Sequence, residues 1–80
     1  MDKKKVIKDY YPKSLVVEGH DNAIIGVIDE RVLYDQDIII ENLMKMDMSR
    51  DDALDYFFYN IKGAFMGQLT PVFAEIIKEK

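Results

Sequence analysis

The chain has 80 residues, 49% hydrophobic and 32% charged, with a formal net charge of −4. That length holds one hydrophobic core and not two, and the balance of apolar and charged residues belongs to a packed globule, not a disordered chain. The absence of cysteine excludes a disulfide framework, a thiolate metal site and a cysteine nucleophile.

Lysines concentrate at the two ends, Lys3, Lys4, Lys5 and Lys8 at one and Lys78 and Lys80 at the other, and the middle is acidic. Duplex binding needs a basic face that neutralises several phosphates, so no nucleic-acid partner is expected. No apolar run is long enough to span a bilayer, and the basic start lacks the apolar segment of a signal peptide. The expected location is the cytoplasm, with no membrane partner.

Residues 1–13 read as a basic, partly flexible amino-terminal segment, frayed at first and then able to dock through Tyr10 and Tyr11 before Pro12. Residues 14–80 read as a single α+β domain. Ser14–Glu18 (SLVVE) and Ala23–Ile28 (AIIGVI) are short β-branched runs separated by the turn formers Gly19-His20-Asp21-Asn22, which predicts a β-hairpin. Strict alternation puts Ile24 and Ile28 on one face and Ile25 and Val27 on the other, while Gly26 suggests a bulge or a close approach. Asp29-Glu30 then turns the chain into a third strand, Arg31–Tyr34.

Asp35 stands where its carboxylate can cap a helix running to about Lys45, with Ile39, Ile40, Leu43 and Met44 as its buried stripe. Ser49, followed three residues later by Asp52, predicts the start of a second helix from Arg50 to about Met66, ended by Gly67. Its core stripe is Leu54, Phe57, Phe58, Ile61, Ala64 and Phe65. Thr70–Ile77 is β-like, with Pro71 at its start or on an edge. The predicted order is βββααβ, a small antiparallel or mixed sheet with a helix hairpin packed on one face.

His20 is the only histidine, so a paired-histidine metal site is excluded, and Ser14 and Ser49, the only serines, lack a nucleophile-elbow context. A hydrolase built on His20 and Asp21 is far less expected than a solvated turn. Asp29, Glu30, Asp35 and Asp37 can share a cation in principle, but turn and helix-start roles account for them better. The four glycines form no phosphate-cradling loop. The chain is therefore expected to be no enzyme and to need no cofactor or metal.

The second helix resists a bland reading. Tyr56, Tyr59, Gly63 and Met66 fall opposite its core stripe, and two tyrosines, a glycine and a methionine form an interface composition. Two accounts stand level: a surface for a protein partner or a second copy (a homodimer), or a face covered by the amino-terminal segment. Asn60 and Thr70 read as structural polar residues, the Asn60 amide bonding the loop around Gln68–Thr70.

The run from Asp21 to Phe73, read as DNAIIG, VLYDQDIIIENLM, DDALDYFFYNIKGAFMG and TPVF, resembles a family of short uncharacterised proteins of tailed bacteriophages. The resemblance covers about two-thirds of the chain and implies a phage accessory protein that binds and modulates a host protein, such as a defence system, in the host cytoplasm. A small-ligand binder for a nucleotide-like signal and a minor virion structural protein are the alternatives.

Overall fold

The computed structural model describes residues 2–64 and 67–77. It is an α+β arrangement of helices and one three-stranded mixed sheet, in the order α1 (Lys3–Tyr10), β1 (Ile24–Ile28), β2 (Arg31–Asp35), α2 (Gln36–Met44), α3 (Arg50–Tyr56) and β3 (Val72–Ala74). A 3₁₀ turn at Asp21–Ala23 precedes β1, and α3 continues without a break as a π-helix, Phe57–Lys62. The sheet order is β1-β2-β3, with β1 antiparallel and β3 parallel to β2. Among the described residues no helix is long and apolar enough to cross a membrane.

The first element, Lys3–Tyr10, is a helix where a basic, partly flexible segment that docks through Tyr10 and Tyr11 is predicted. Asp2 caps α1 by accepting from the Lys5 amide, and Ile7 is buried in the core. Lys3 Nζ donates to the Ile24 carbonyl at 2.8 Å, and Lys4 pairs with Glu18 at 2.8 Å. Residues 14–18 are consequently not a strand. Their polar groups are met from the side: the Val17 amide donates to Tyr34 Oη at 2.7 Å, and Ser14 Oγ to the Glu30 carbonyl. Val16 and Val17 still pack on the core.

The β1–β2 hairpin closes through Asp29 and Glu30, both at positive φ (50° and 62°), the geometry of a two-residue type I′ turn. The register shifts between Ile24 and Gly26, so Ile25 is bulged. This extra residue overturns the strict alternation. Ile24 opposes Tyr34 and Val27 opposes Val32 on the core side, while Gly26 opposes Leu33 on the other. A Cβ at Gly26 would meet nothing within 4 Å, so the bulge, and not a close approach, is what this glycine marks.

Asp35 caps α2 as its position predicts, its Oδ1 accepting from the amides of Asp37 and Ile38. Ile39, Ile40 and Leu43 are buried, whereas Met44, at the last turn, is exposed. Ser49 caps α3 through the Asp52 amide.

Beyond Tyr56 the helix departs from expectation. In a π-helix the bonds run i→i+5, so each turn holds more residues and the faces rotate relative to an α-helix. Ala53, Phe57 and Ile61, four apart, stay on the core, but Phe58 turns out to solvent. Phe65 and Met66 lie outside the described residues.

Gly67 adopts φ +102°, the left-handed conformation that glycine suits. The last strand is shorter than predicted, residues 72–74 of the expected 70–77, with Pro71 buried just before it.

One core cluster joins the layers: Ile7 from α1, Ile24, Val32 and Tyr34 from the sheet, Ile39, Ile40 and Leu43 from α2, Ala53 from α3, and Phe57. Phe57 stands edge-on to Phe73 (centroids 5.2 Å apart), and Phe73 stacks on Tyr34 at 5.7 Å. Phe57→Ala should therefore cost about 3–5 kcal/mol, enough to unfold a domain this small. A chemical-denaturation midpoint close to wild type would contradict the packing. Conversely, Glu30 occupies a left-handed position that disfavours a Cβ. Glu30→Gly should raise stability by about 1 kcal/mol, read as an upward shift in Tm.

Candidate functional site

The described residues offer two places where chemistry could reside, a buried polar cluster at the start of β1 and the outer side of α3 and its π-helical continuation. In the first, the 3₁₀ turn draws His20 inward to 4% exposure. This corrects the expectation of a solvated turn. The Asn42 amide nitrogen lies 3.0 Å from His20 Nδ1 and also donates to Asn22 Oδ1 at 2.8 Å, while Asn22 returns a bond to Asn42 Oδ1 at 3.1 Å. Because Asn42 Nδ2 is a donor, Nδ1 acts as acceptor and the neutral ring carries its proton on Nε2.

Burial pushes the His20 imidazole below its ordinary value, and the nearby Asp21 charge opposes that shift only in part. One oxygen of Asp21 is buried without a hydrogen-bond partner among the described residues. The serines that a hydrolase would recruit are occupied elsewhere, Ser14 on the Glu30 carbonyl and Ser49 on the Asp52 amide. The cluster thus acts as a bracket joining the turn before β1 to α2. Asp29, Glu30 and Asp35 likewise serve the hairpin turn and the α2 cap.

The second place carries the predicted interface residues. Tyr59 is 80% exposed, Tyr56 43% and Phe58 44%, and Gly63 is also exposed. Met66, the fourth predicted member, lies outside the described residues. Phe58 joins the surface unpredicted, on the π-helical segment, and Lys62 Nζ lies 5.3 Å from its ring centroid. Asp51, Asp52 and Asp55 are exposed on the preceding turns.

Two expectations change here. A Cβ at Gly63 would lie 2.7 Å from the Phe58 carbonyl oxygen and 3.2 Å from that of Tyr59, so the glycine is required by the winding of its own chain. Asn60, expected to tie down the 68–70 loop, is exposed because the π turn rotates it to solvent. Thr70 does that work, its hydroxyl donating to the Ala64 carbonyl at 3.4 Å and its carbonyl accepting from Arg31 Nε at 2.8 Å.

The amino-terminal segment does not supply a tyrosine cover for this face. Its helix packs on the 3₁₀ turn and is pinned to Ile24 and Glu18, and Tyr10 and Tyr11 are themselves exposed. The chain matches no protein-family model, no curated protein and no solved structure.

The polar cluster makes stability depend on pH. A histidine whose folded value is depressed stays neutral in the native state while the unfolded chain takes up a proton below about pH 6.5. Stability is then full above that value and falls as the pH drops toward the folded value. The Tm of the wild type should decline as the pH falls below about 6.5, and His20→Gln, which keeps an acceptor for Asn42 but cannot titrate, should flatten the profile. Equal slopes for the two proteins would exclude His20 as the cause.

Proposed function

We propose that this chain is a non-enzymatic binding protein that engages another protein through the outer side of α3 and its π-helical continuation. The observation that carries this reading is the exposure of Tyr56, Phe58 and Tyr59 within four residues, on a helix whose core contacts are already made by Ala53, Leu54, Phe57 and Ile61. Clustered aromatic side chains at a surface are typical of interface centres, since they offer large contact area at low torsional cost. In this reading α2 and α3 form a hairpin laid on one face of the sheet, which leaves the far side of α3 for a partner.

The resemblance to tailed-phage proteins gives the partner class: a host protein in the host cytoplasm, including a component of a defence system. A second copy of the chain is the competing occupant. The small-ligand alternative is less well supported. Two concavities among the described residues, about 340 Å³ beside Tyr10, Tyr11 and Glu30 and about 450 Å³ beside Lys3, Val6 and Ile25, are open surface hollows, whereas small-molecule sites enclose most of their ligand.

Tyr59→Glu should abolish association, because it places a charge where the contact excludes water, while leaving thermal stability within about 0.5 kcal/mol of wild type. Light scattering reads the mass of any self-assembly, and pull-down from host lysate reads recovery of a partner. A double variant, Tyr56→Ser with Tyr59→Glu, that changes neither would remove the interface reading.

A further inference from the structure

Resting on the binding reading above, the chemistry of this face narrows its partner. Asp52 and Tyr56 stand four residues apart, as do Asp55 and Tyr59, so the helix carries two interleaved Asp-x-x-x-Tyr pairs. Residues at that spacing are neighbours on successive turns of an α-helix, and the wider π turn that holds Tyr59 keeps residues four apart adjacent as well. All four side chains are exposed. The ion pairs among the described residues, Lys4 with Glu18 and Lys5 with Asp9, leave both aspartates uncompensated. Asp52 gives only its backbone amide to the Ser49 cap, so its carboxylate stays available.

A carboxylate beside an aromatic face, one turn away, is a complement for guanidinium. The planar cation stacks on the ring while its fork of N–H donors reaches the carboxylate, which a lysine ammonium cannot do in the same way. The neighbouring Phe58 ring already has a cation, Lys62, close to its face. A second copy of the same surface would bring more aspartate against Asp51, Asp52 and Asp55, whereas a basic partner neutralises them.

We propose that the outer face of α3 docks a basic protein segment that presents two arginines one helical turn apart, one to Asp52 and Tyr56 and the other to Asp55 and Tyr59. The occupant is thus an arginine-bearing helix of a partner, and not a second copy of this chain.

The test is a titration of the isotope-labelled full chain, followed by NMR, with three helical peptides of about 15 residues. One carries two arginines at i, i+4, the second has citrulline at both positions, and the third has its arginines at i, i+2, on different faces. The first should shift resonances between Asp52 and Tyr59. Affinity should fall about tenfold with citrulline, with the i, i+2 spacing, and in an Asp52→Asn, Asp55→Asn variant. It should also fall with added salt. Because both aspartates are exposed, an unchanged amide spectrum of the free variant confirms that its fold is kept.

Equal binding of the citrulline peptide overturns arginine recognition while leaving a protein-docking face. Shifts that map to another surface, or no shifts with any peptide, overturn the arginine inference too. The Tyr59→Glu association experiment then decides the binding reading separately.

Discussion

Three rings in line, Phe57 edge-on to Phe73 and Phe73 stacked on Tyr34, tie together parts of the chain that are far apart in sequence. Phe57 belongs to the π-helical continuation of α3, Phe73 to the last strand and Tyr34 to the central strand. The Tyr34 hydroxyl extends the line by accepting from the Val17 amide, which holds the segment that enters the domain. Aromatic pairs of this kind add to the burial of large apolar surface. Burial also pushes the Tyr34 phenol above its usual value, so the hydroxyl stays protonated while it accepts that bond.

The winding of α3 and its π-helical continuation follows the same constraint. Ala53, Phe57 and Ile61 recur every fourth residue on the core, and the π turns keep the last two there although an ideal α-helix would drift. The consequence falls on the other side. Phe58, Tyr59 and Asn60 are carried out together, and with Asp51, Asp52, Asp55 and Tyr56 they make a surface that is both aromatic and acidic. Packing inside the domain thus dictates the face that it offers outside.

Much of this was legible in the residues. Asp35 and Ser49 announced the helix starts because a side-chain acceptor before an apolar stripe has few other uses. Asp29-Glu30 marked a turn, and Tyr56 and Tyr59 stood out as surplus to the core. What stayed hidden depends on tertiary contacts. Ser14–Glu18 has the composition of a strand, yet its Val17 amide is met by the Tyr34 hydroxyl and its ends by the hairpin turn and α1. The first residues form a helix because Ile7 finds a place in the core and Asp2 caps it, and a lysine-rich start gives little sign of either. His20 sat among turn formers, and only Asn42, 22 residues later, shows why it is buried. The π winding has no signature in hydrophobic spacing, so Phe58 read as core and Asn60 as buried.

The central claim is this rotation, which buries Phe57 and leaves Phe58 exposed to solvent. Its most direct test is fluorine NMR of the chain with 4-fluorophenylalanine placed singly at positions 57, 58 and 73, comparing shifts in H₂O and D₂O. The account predicts a solvent isotope shift at position 58 and little at 57 or 73. A silent position 58 would mean that the helix continues in α phase, with Phe58 in the core.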